Sequence, residues 1–226
     1  MKTVVLRFSL AMLAICLFSA NAVAQFTHTN DMEARPVHEY NTITMTGSPY
    51  VHKEWAKGSL TLKNGTVYQG IDLMYDQVKD AIIFKTKNGD VKELLEPVQE
   101  FKIGYVENNK PVERTFRSGY TGDGVQPNAF LEVLADGQVV LLKRTSKKIF
   151  DRKHYSSATI DREVQASEDY YIAKGDQAVK VKKSKSSLLA AIPDKKDYLE
   201  TYIKSNALNL REDSDLAKLV AYYNSL

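Results

Sequence analysis

The stretch Phe130-Leu-Glu-Val-Leu-Ala-Asp136-Gly137-Gln-Val-Val-Leu-Leu-Lys143 decides the fold class. Asp-Gly is a favoured two-residue hairpin loop, because its positive-φ turn matches the twist of the strands it joins. A turn at Asp136-Gly137 predicts Leu134 opposite Val139, Val133 opposite Val140, Glu132 opposite Leu141 and Leu131 opposite Leu142. Side chains alternate faces along a strand. Leu134, Val139 and Leu141 therefore share one face, and Leu131, Val133, Val140 and Leu142 the other. Both faces are apolar, so the hairpin is expected to be covered on both sides. Each of these side chains, once fully buried, contributes roughly 1.5–3 kcal/mol before entropy is charged.

Upstream of this hairpin the same grammar repeats. Leu60 to Leu62, Asn64-Gly65 and Val67-Tyr68 read as strand, tight turn and strand, with Ile71 to Tyr75 continuing. Ala81 to Thr86 turns at Asn88-Gly89 into Val91 to Leu95, and Pro97 ends that run because it cannot donate to a ladder. Phe101 to Val106 and Glu113 to Phe116 flank the turn Asn108-Asn109-Lys110-Pro111. Gly119 to Asn128 is a long polar loop. The words Asn64-Gly-Thr-Val67, Asn88-Gly-Asp-Val91 and Asp136-Gly-Gln-Val139 share one form, but the sequence between them does not repeat. Reuse of turn chemistry explains them better than a solenoid or propeller.

Downstream, Ile149-Phe150 and Ala158 to Val164 add strand, and Tyr170 to Ala173 pairs with Ala178 to Val181 around Lys174-Gly175-Asp176. The spacing then changes from two to helical. Ser184 is placed to cap a helix carrying Leu188, Leu189 and Ile192, stopped by Pro193. Asp194 is placed to cap a second, with Tyr198, Leu199, Tyr202 and Ile203 on one side. Asp213 or Ser214 is placed to cap a third, where Leu216, Leu219, Val220 and Tyr223 form one apolar stripe. The expected fold is α+β: an antiparallel β-meander forming a sandwich or open barrel, followed by three short C-terminal helices packed on the sheet.

The N-terminus carries an export pattern. Lys2 and Arg7 precede the apolar run from Leu10 to Phe18, and Ala22-Val-Ala24 supplies a small-x-small cleavage site, leaving Gln25 first. A retained anchor and lipid attachment at Cys16 are the alternatives. The run is short for a span, and Ile15 is too bulky for the residue before a lipidated cysteine. The organisation expected is a signal peptide over 1–24, an irregular arm over 25–57, an antiparallel β domain over 58–183 and a helical segment over 184–226. Trp55 and Tyr50 are placed to dock the arm. Cleavage removes the only cysteine, and with it any disulfide, thiolate nucleophile or cysteine metal ligand. Loss of Lys2 and Arg7 from 31 basic residues leaves them balancing the 28 acidic ones to within one charge, which gives no reason to expect nucleic acid. No later apolar run is long enough to span a membrane once the signal is cleaved.

The ending Tyr202-Ile-Lys-Ser-Asn-Ala-Leu208, then Asp215-Leu216 through Leu219-Val220 to Tyr222-Tyr-Asn-Ser-Leu226, resembles that of a group of exported proteins of Bacteroidota. The likeness covers the C-terminal segment, reaches into the β region and stops short of the lead-in. The group carries no established catalytic motif, so the resemblance implies an envelope location, periplasmic or extracellular, and little else.

Candidate chemistry is sparse. His28, His38, His52 and His154 form no metal-binding helix pair or cluster, so neither a metal nor a cofactor is expected. No Gly-x-Ser-x-Gly elbow occurs. The glycines from Gly119 to Gly124 read as loop rather than phosphate cradle, since no helix start follows them. Asp123 with Asp72, Asp76 or Asp80 supplies carboxylates of the kind glycosidases pair, though turn aspartates are more commonly structural. Tyr105, Tyr120 and Tyr155 have the amphipathic character of groove-lining residues, whereas Tyr198, Tyr202, Tyr222 and Tyr223 suit packing of helices on the sheet.

Two basic clusters stand out. Lys143, Arg144, Lys147 and Lys148 follow the central hairpin, with Arg152, Lys153 and His154 beyond. Lys180, Lys182, Lys183 and Lys185 end the last strand. If the clusters meet, Lys143, Arg144, Lys147, Lys148, Lys180, Lys182 and Lys183 form a patch suited to lipopolysaccharide phosphate, an anionic glycan or an acidic envelope protein. The competing explanation is lysine protection of an exposed strand edge. The residues favour an exported envelope protein with a non-catalytic binding or scaffold role. The alternatives are an envelope hydrolase whose site is assembled from strand ends and loops, and a sheet module that pairs through an edge.

Overall fold

The computed structural model describes residues 25–26, 32–37, 40, 45–153 and 160–226. The segment 1–24, expected to be a signal peptide, lies outside them. Local hairpin chemistry builds most of the chain. β4 (Ala56–Leu62) and β5 (Val67–Asp76) turn at Asn64-Gly65, and β6 (Ala81–Lys85) and β7 (Val91–Leu94) at Asn88-Gly89. These two turns are alike. Leu62 N–H donates to Thr66 O and Gly65 N–H to Leu62 O, while Thr86 N–H donates to Asp90 O and Gly89 N–H to Thr86 O. β8 (Val98–Glu107) and β9 (Lys110–Arg117) join through Asn108-Asn109, both with positive φ, as a twisted two-residue turn requires. β10 (Leu131–Ala135), β11 (Val140–Lys153), β12 (Ile160–Lys174) and β13 (Gln177–Val181) complete the meander.

The short strands β1 (Gln25–Phe26), β2 (Ala34–Pro36) and β3 (Met45–Thr46) attach to this body: β1 and β3 run parallel to β5 and β12, and β2 antiparallel to β7. All thirteen belong to one sheet, whose main path is β13-β12-β11-β10-β9-β8-β4-β5-β6-β7-β2. Two meanders thus meet where β8 pairs with β4. The sheet is not closed, but it curls until Lys147 N–H of β11 donates to Gln77 O in the turn after β5, at 3.0 Å. Inside the curl lies a core that includes Leu60, Leu73, Tyr75, Phe84, Phe101 and Phe116.

The central hairpin is covered on both sides. Val139 and Leu141, with Leu134 partly buried, pack under the C-terminal helices. Leu131, Val140 and Leu142, with Val133, pack against Tyr120 and Val125 of the polar loop and Ala129 just after it. The register differs from the one that an Asp-Gly turn implies. Glu132 lies opposite Lys143 and Val133 opposite Leu142, with a bulge before Ala135–Leu141. The cause is Asn224. Its Oδ1 accepts from Val139 N–H at 2.9 Å, and its Nδ2 donates to Val139 O at 2.8 Å and to Asp136 O at 3.3 Å. This side chain takes the place of a ladder partner and holds the loop wide. A Cβ on Gly137 would stand 2.6 Å from Asn224 Cγ, so only glycine admits that approach.

The polar loop closes the outer edge of β13. Thr121 N–H donates to Asp176 O, Ala178 N–H to Thr121 O, and Lys180 N–H to the Asp123 carboxylate. A Cβ on Gly122 would meet Ala178 O at 2.5 Å, which explains that glycine structurally.

The helices are α1 (Lys185–Ala191), α2 (Lys196–Ser205) and α3 (Asp213–Ser225), with a 3-10 turn at Pro193–Lys195. Ser184 caps α1, accepting from Ser187 N–H. The other expected caps are corrected. Lys195 precedes α2 and Glu212 precedes α3, neither with a side-chain cap bond. Asp194 instead accepts from Tyr223 OH at 2.9 Å, and Asp213 is occupied by Lys143 of β11 and Lys183 just past β13. Leu216, Leu219, Val220 and Tyr223 are buried as the stripe requires. Tyr202 stacks on Tyr222 with ring centroids 3.9 Å apart, whereas Tyr198 is 64% exposed and packs nothing on the sheet. Among the described residues no helix is long and apolar enough to cross a membrane.

Candidate functional site

β11 carries its first basic cluster on alternating faces. Lys143 points to the helix side. It pairs with Glu168 at 2.7 Å and Asp213 at 2.9 Å. Lys183 arrives at the same Asp213, at 2.5 Å, and lies over the Tyr170 ring. Tyr170 OH is within 2.8 Å of Asp213 and 3.0 Å of Glu168. The two basic clusters therefore do meet, but at two carboxylates that match their charge. Burial raises the Asp213 carboxyl, yet hydrogen bonds from Lys183, Lys143 and Tyr170 outweigh it and hold the group down at about 2. Lys180 is tied to Asp169 at 2.8 Å on the opposite face. Lys182 is exposed and has no ion pair among the described residues.

Arg144, Lys147 and Lys148 form a different arrangement. Beyond Lys143 the edge of β11 leaves β10 and meets the 77–80 turn, and between them runs a groove of about 490 Å³. Arg144 lies in it, bonded to Asp80 at 3.1 Å and to Phe130 O. Tyr75 OH donates to the other Asp80 oxygen at 2.5 Å, and burial drives that phenol well above its ordinary pKa. The Tyr75 ring packs among Phe101, Phe116 and Phe130, so the floor of the groove is anchored in the core. Lys147 is half-buried, its ammonium donating to Ser48 O at 3.0 Å and Tyr50 O at 2.6 Å. Burial, with Arg114 nearby, lowers it to about 8. Lys148 is exposed on the rim beside Phe150, itself 45% exposed. Three cations thus line the groove, Arg144 on Asp80, Lys147 on the strap carbonyls and Lys148 at the rim, with Val78, Ile149 and Phe150 as apolar neighbours.

The segment after β3 straps this region. Tyr50 bridges to Asp76, Val51 N–H donates to Tyr75 O, and Gln77 N–H donates to Pro49 O. Asp76 is fully buried and accepts from Tyr40 OH and from the Val78 and Lys79 N–H groups. Trp55 lies under Lys85, 4.5 Å from its ammonium.

The remaining candidates have structural partners. Asp72 pairs with Lys57, Asp80 serves Tyr75 and Arg144, and Asp123 caps β13. His52 stacks on Tyr105, centroids 4.3 Å apart. Tyr120 is buried, its oxygen accepting from Arg117, which also clamps Glu100 and Asp136. His28, His38, His154, Tyr155 and the Lys153 side chain lie outside the described residues. Among the described residues no three His, Cys, Asp or Glu side chains are grouped so as to hold a metal. Asp80, Val78 and the strap carbonyls complete the groove without any local signal in the sequence. Their place depends on the sheet curling back on β11. Phe150, by contrast, is visible as a lone aromatic among charges in Lys147-Lys-Ile-Phe-Asp-Arg-Lys153.

Fold and groove together define an open, mostly antiparallel sheet with C-terminal helices and a cationic recess along one strand edge. No protein-family model, no curated protein and no solved structure matches the chain.

Proposed function

We propose that this is an exported cell-envelope protein that binds rather than catalyses, presenting the β11 groove to an anionic glycan, lipopolysaccharide phosphate or protein partner. The observation that carries the reading is the lining of one groove by Arg144, Lys147 and Lys148, of which only Arg144 is paired with a carboxylate among the described residues. A local excess of positive charge attracts anionic partners and gives binding that weakens with salt. The leader pattern and the resemblance of the C-terminal ending support an envelope location.

Retention on lipopolysaccharide-coated beads tests it. Lys148→Glu is expected to lower retention by about tenfold at low salt, since reversing a groove charge both removes an attraction and adds a repulsion. Lys182→Glu, at an exposed site away from the groove, is expected to leave it near wild type. Equal losses in both variants would reduce the groove to bulk charge, and no loss in either would remove it as the site. N-terminal sequencing of the chain after export is expected to begin at Gln25.

A further inference from the structure

The groove runs along a strand that has lost its neighbour. Pairing of β10 with β11 ends at Glu132 opposite Lys143, yet β11 continues to Lys153. On that side the next backbone bond is Lys147 N–H to Gln77 O. In an antiparallel strand, alternate residues direct N–H and C=O to the same side. With Lys147 facing outward, Ile149 and Asp151 face outward too, while the residues between them serve the ladder with β12. That alternation turns the Ile149 and Asp151 N–H groups away from the β12 ladder, and among the described residues no backbone bond outside the ladders reaches them. An unpaired edge of this kind is a template for another strand.

We infer that the free edge of β11 from Ile149 to Asp151, just past the Lys147–Gln77 bond, takes an extended acidic segment of a partner protein as an added antiparallel or parallel strand. The backbone rungs at Ile149 and Asp151 supply main-chain bonds, and alternate side chains of the segment face the groove. The charge there selects acidic side chains: exposed Lys148 flanks the edge with no ion pair among the described residues, Arg144 and Tyr75 already share Asp80, and Asp151 is paired with Arg162 at 3.2 Å. Val78, Ile149 and Phe150 accept apolar side chains between the acidic ones. The inference rests on the binding role proposed above and names its partner class.

Hydrogen exchange on the purified full chain tests it. The Ile149 and Asp151 amides are expected to exchange at open-edge rates, and to slow by about tenfold or more when an eight-residue peptide of alternating Glu and Val is added. Copies N-methylated at the valines or at the glutamates block one rung set each, so one of the two is expected to lose this protection. An alternating Lys–Val peptide is expected to give none. Ile149→Pro deletes an edge N–H outside the β12 ladder, a position that tolerates proline. It is expected to leave the far-UV spectrum and Tm unchanged while weakening the Glu–Val peptide by about tenfold. Amides already protected in the free chain, equal binding of both methylated copies, or failure of the Glu–Val peptide to protect the edge would each overturn the strand. Vesicles of phosphatidylglycerol separate the two levels. Peptide failure with Lys148-dependent vesicle binding removes the strand partner and leaves an anion-binding groove. Failure of both, with Lys148→Glu without effect, removes the groove's binding role as well.

Discussion

Asn224 acts as a strand where β10 and β11 have none between them. Its amide both gives to and takes from the Val139 peptide, across 85 positions of sequence. Val139 is 2% exposed, so little water reaches its N–H when the amide is removed. Asn224→Ala is expected to cost about 1–3 kcal/mol, the penalty of a buried unsatisfied donor. It should appear as a lower urea midpoint at unchanged slope. A midpoint within error of wild type would mean the loop holds its shape unaided. The same residue explains what was and was not legible around Asp136-Gly137. The period of two in Leu131 to Leu142 assigns each side chain to a face, and those assignments agree with the packing. The true register is slipped by two residues along most of the pair, a change that returns every side chain to its own face. Faces are a local property of the strand. Register here belongs to a contact with a helix that no spacing announces.

Between elements, a charged tie of the helices to the sheet runs through Asp213, at the start of α3, with Lys143 of β11 and Lys183 beyond β13. Its folded carboxyl lies at about 2 because those lysines and Tyr170 overcome the cost of burial, against about 3.9 for an unfolded aspartate. A depressed folded value contributes stability that is complete above the unfolded value and is lost as pH falls through the folded one. Asp213→Asn is therefore expected to be less stable than wild type at neutral pH, the two curves converging as pH drops from about 4 to about 2. Equal separation of the curves at pH 7 and pH 2 would place the effect in packing rather than charge. The apolar stripe of α3 was readable because 3.6-residue spacing states which face is buried. The acid at its start was read as a cap, since Asp is common there. Lys143 of β11 and Lys183 just past β13 take it instead, and local preference gives way to long-range pairing.

Across the whole molecule, adjacent hairpins were legible, but the joining of the two meanders was not. β4 pairs with β8, bringing residues 57–62 against 98–104, and no turn word encodes that. The β11 groove follows from it, since it exists only because the curled sheet returns the 77–80 turn to β11. A second seam, which divides the chain into an N-terminal half through β9 and a C-terminal half from β10, is narrow. β9 and β10 share the pairs Leu131–Arg117 and Glu132–Phe116, clamped by Arg114 on Glu132. Glu132 is 9% exposed, and the guanidinium also lies over the Phe116 ring. Glu132→Ala leaves that cation half-desolvated without its partner, and is expected to cost about 2–4 kcal/mol. Replacing both, Glu132→Leu with Arg114→Met, removes the charges together and is expected to recover most of the loss. A double variant as weak as Glu132→Ala would show that the seam needs the pair's shape and not its neutrality. Two probes locate the damage: Trp55, the only tryptophan, reports the N-terminal half, and helical ellipticity reports the C-terminal one. In Glu132→Ala the two unfolding midpoints are expected to separate, because the strap at Ser48 and Tyr50 and the Lys147–Gln77 bond then hold the halves with little help from the seam. Midpoints that stay coincident would make those ties, rather than the β9–β10 pairing, the source of cooperativity between the halves.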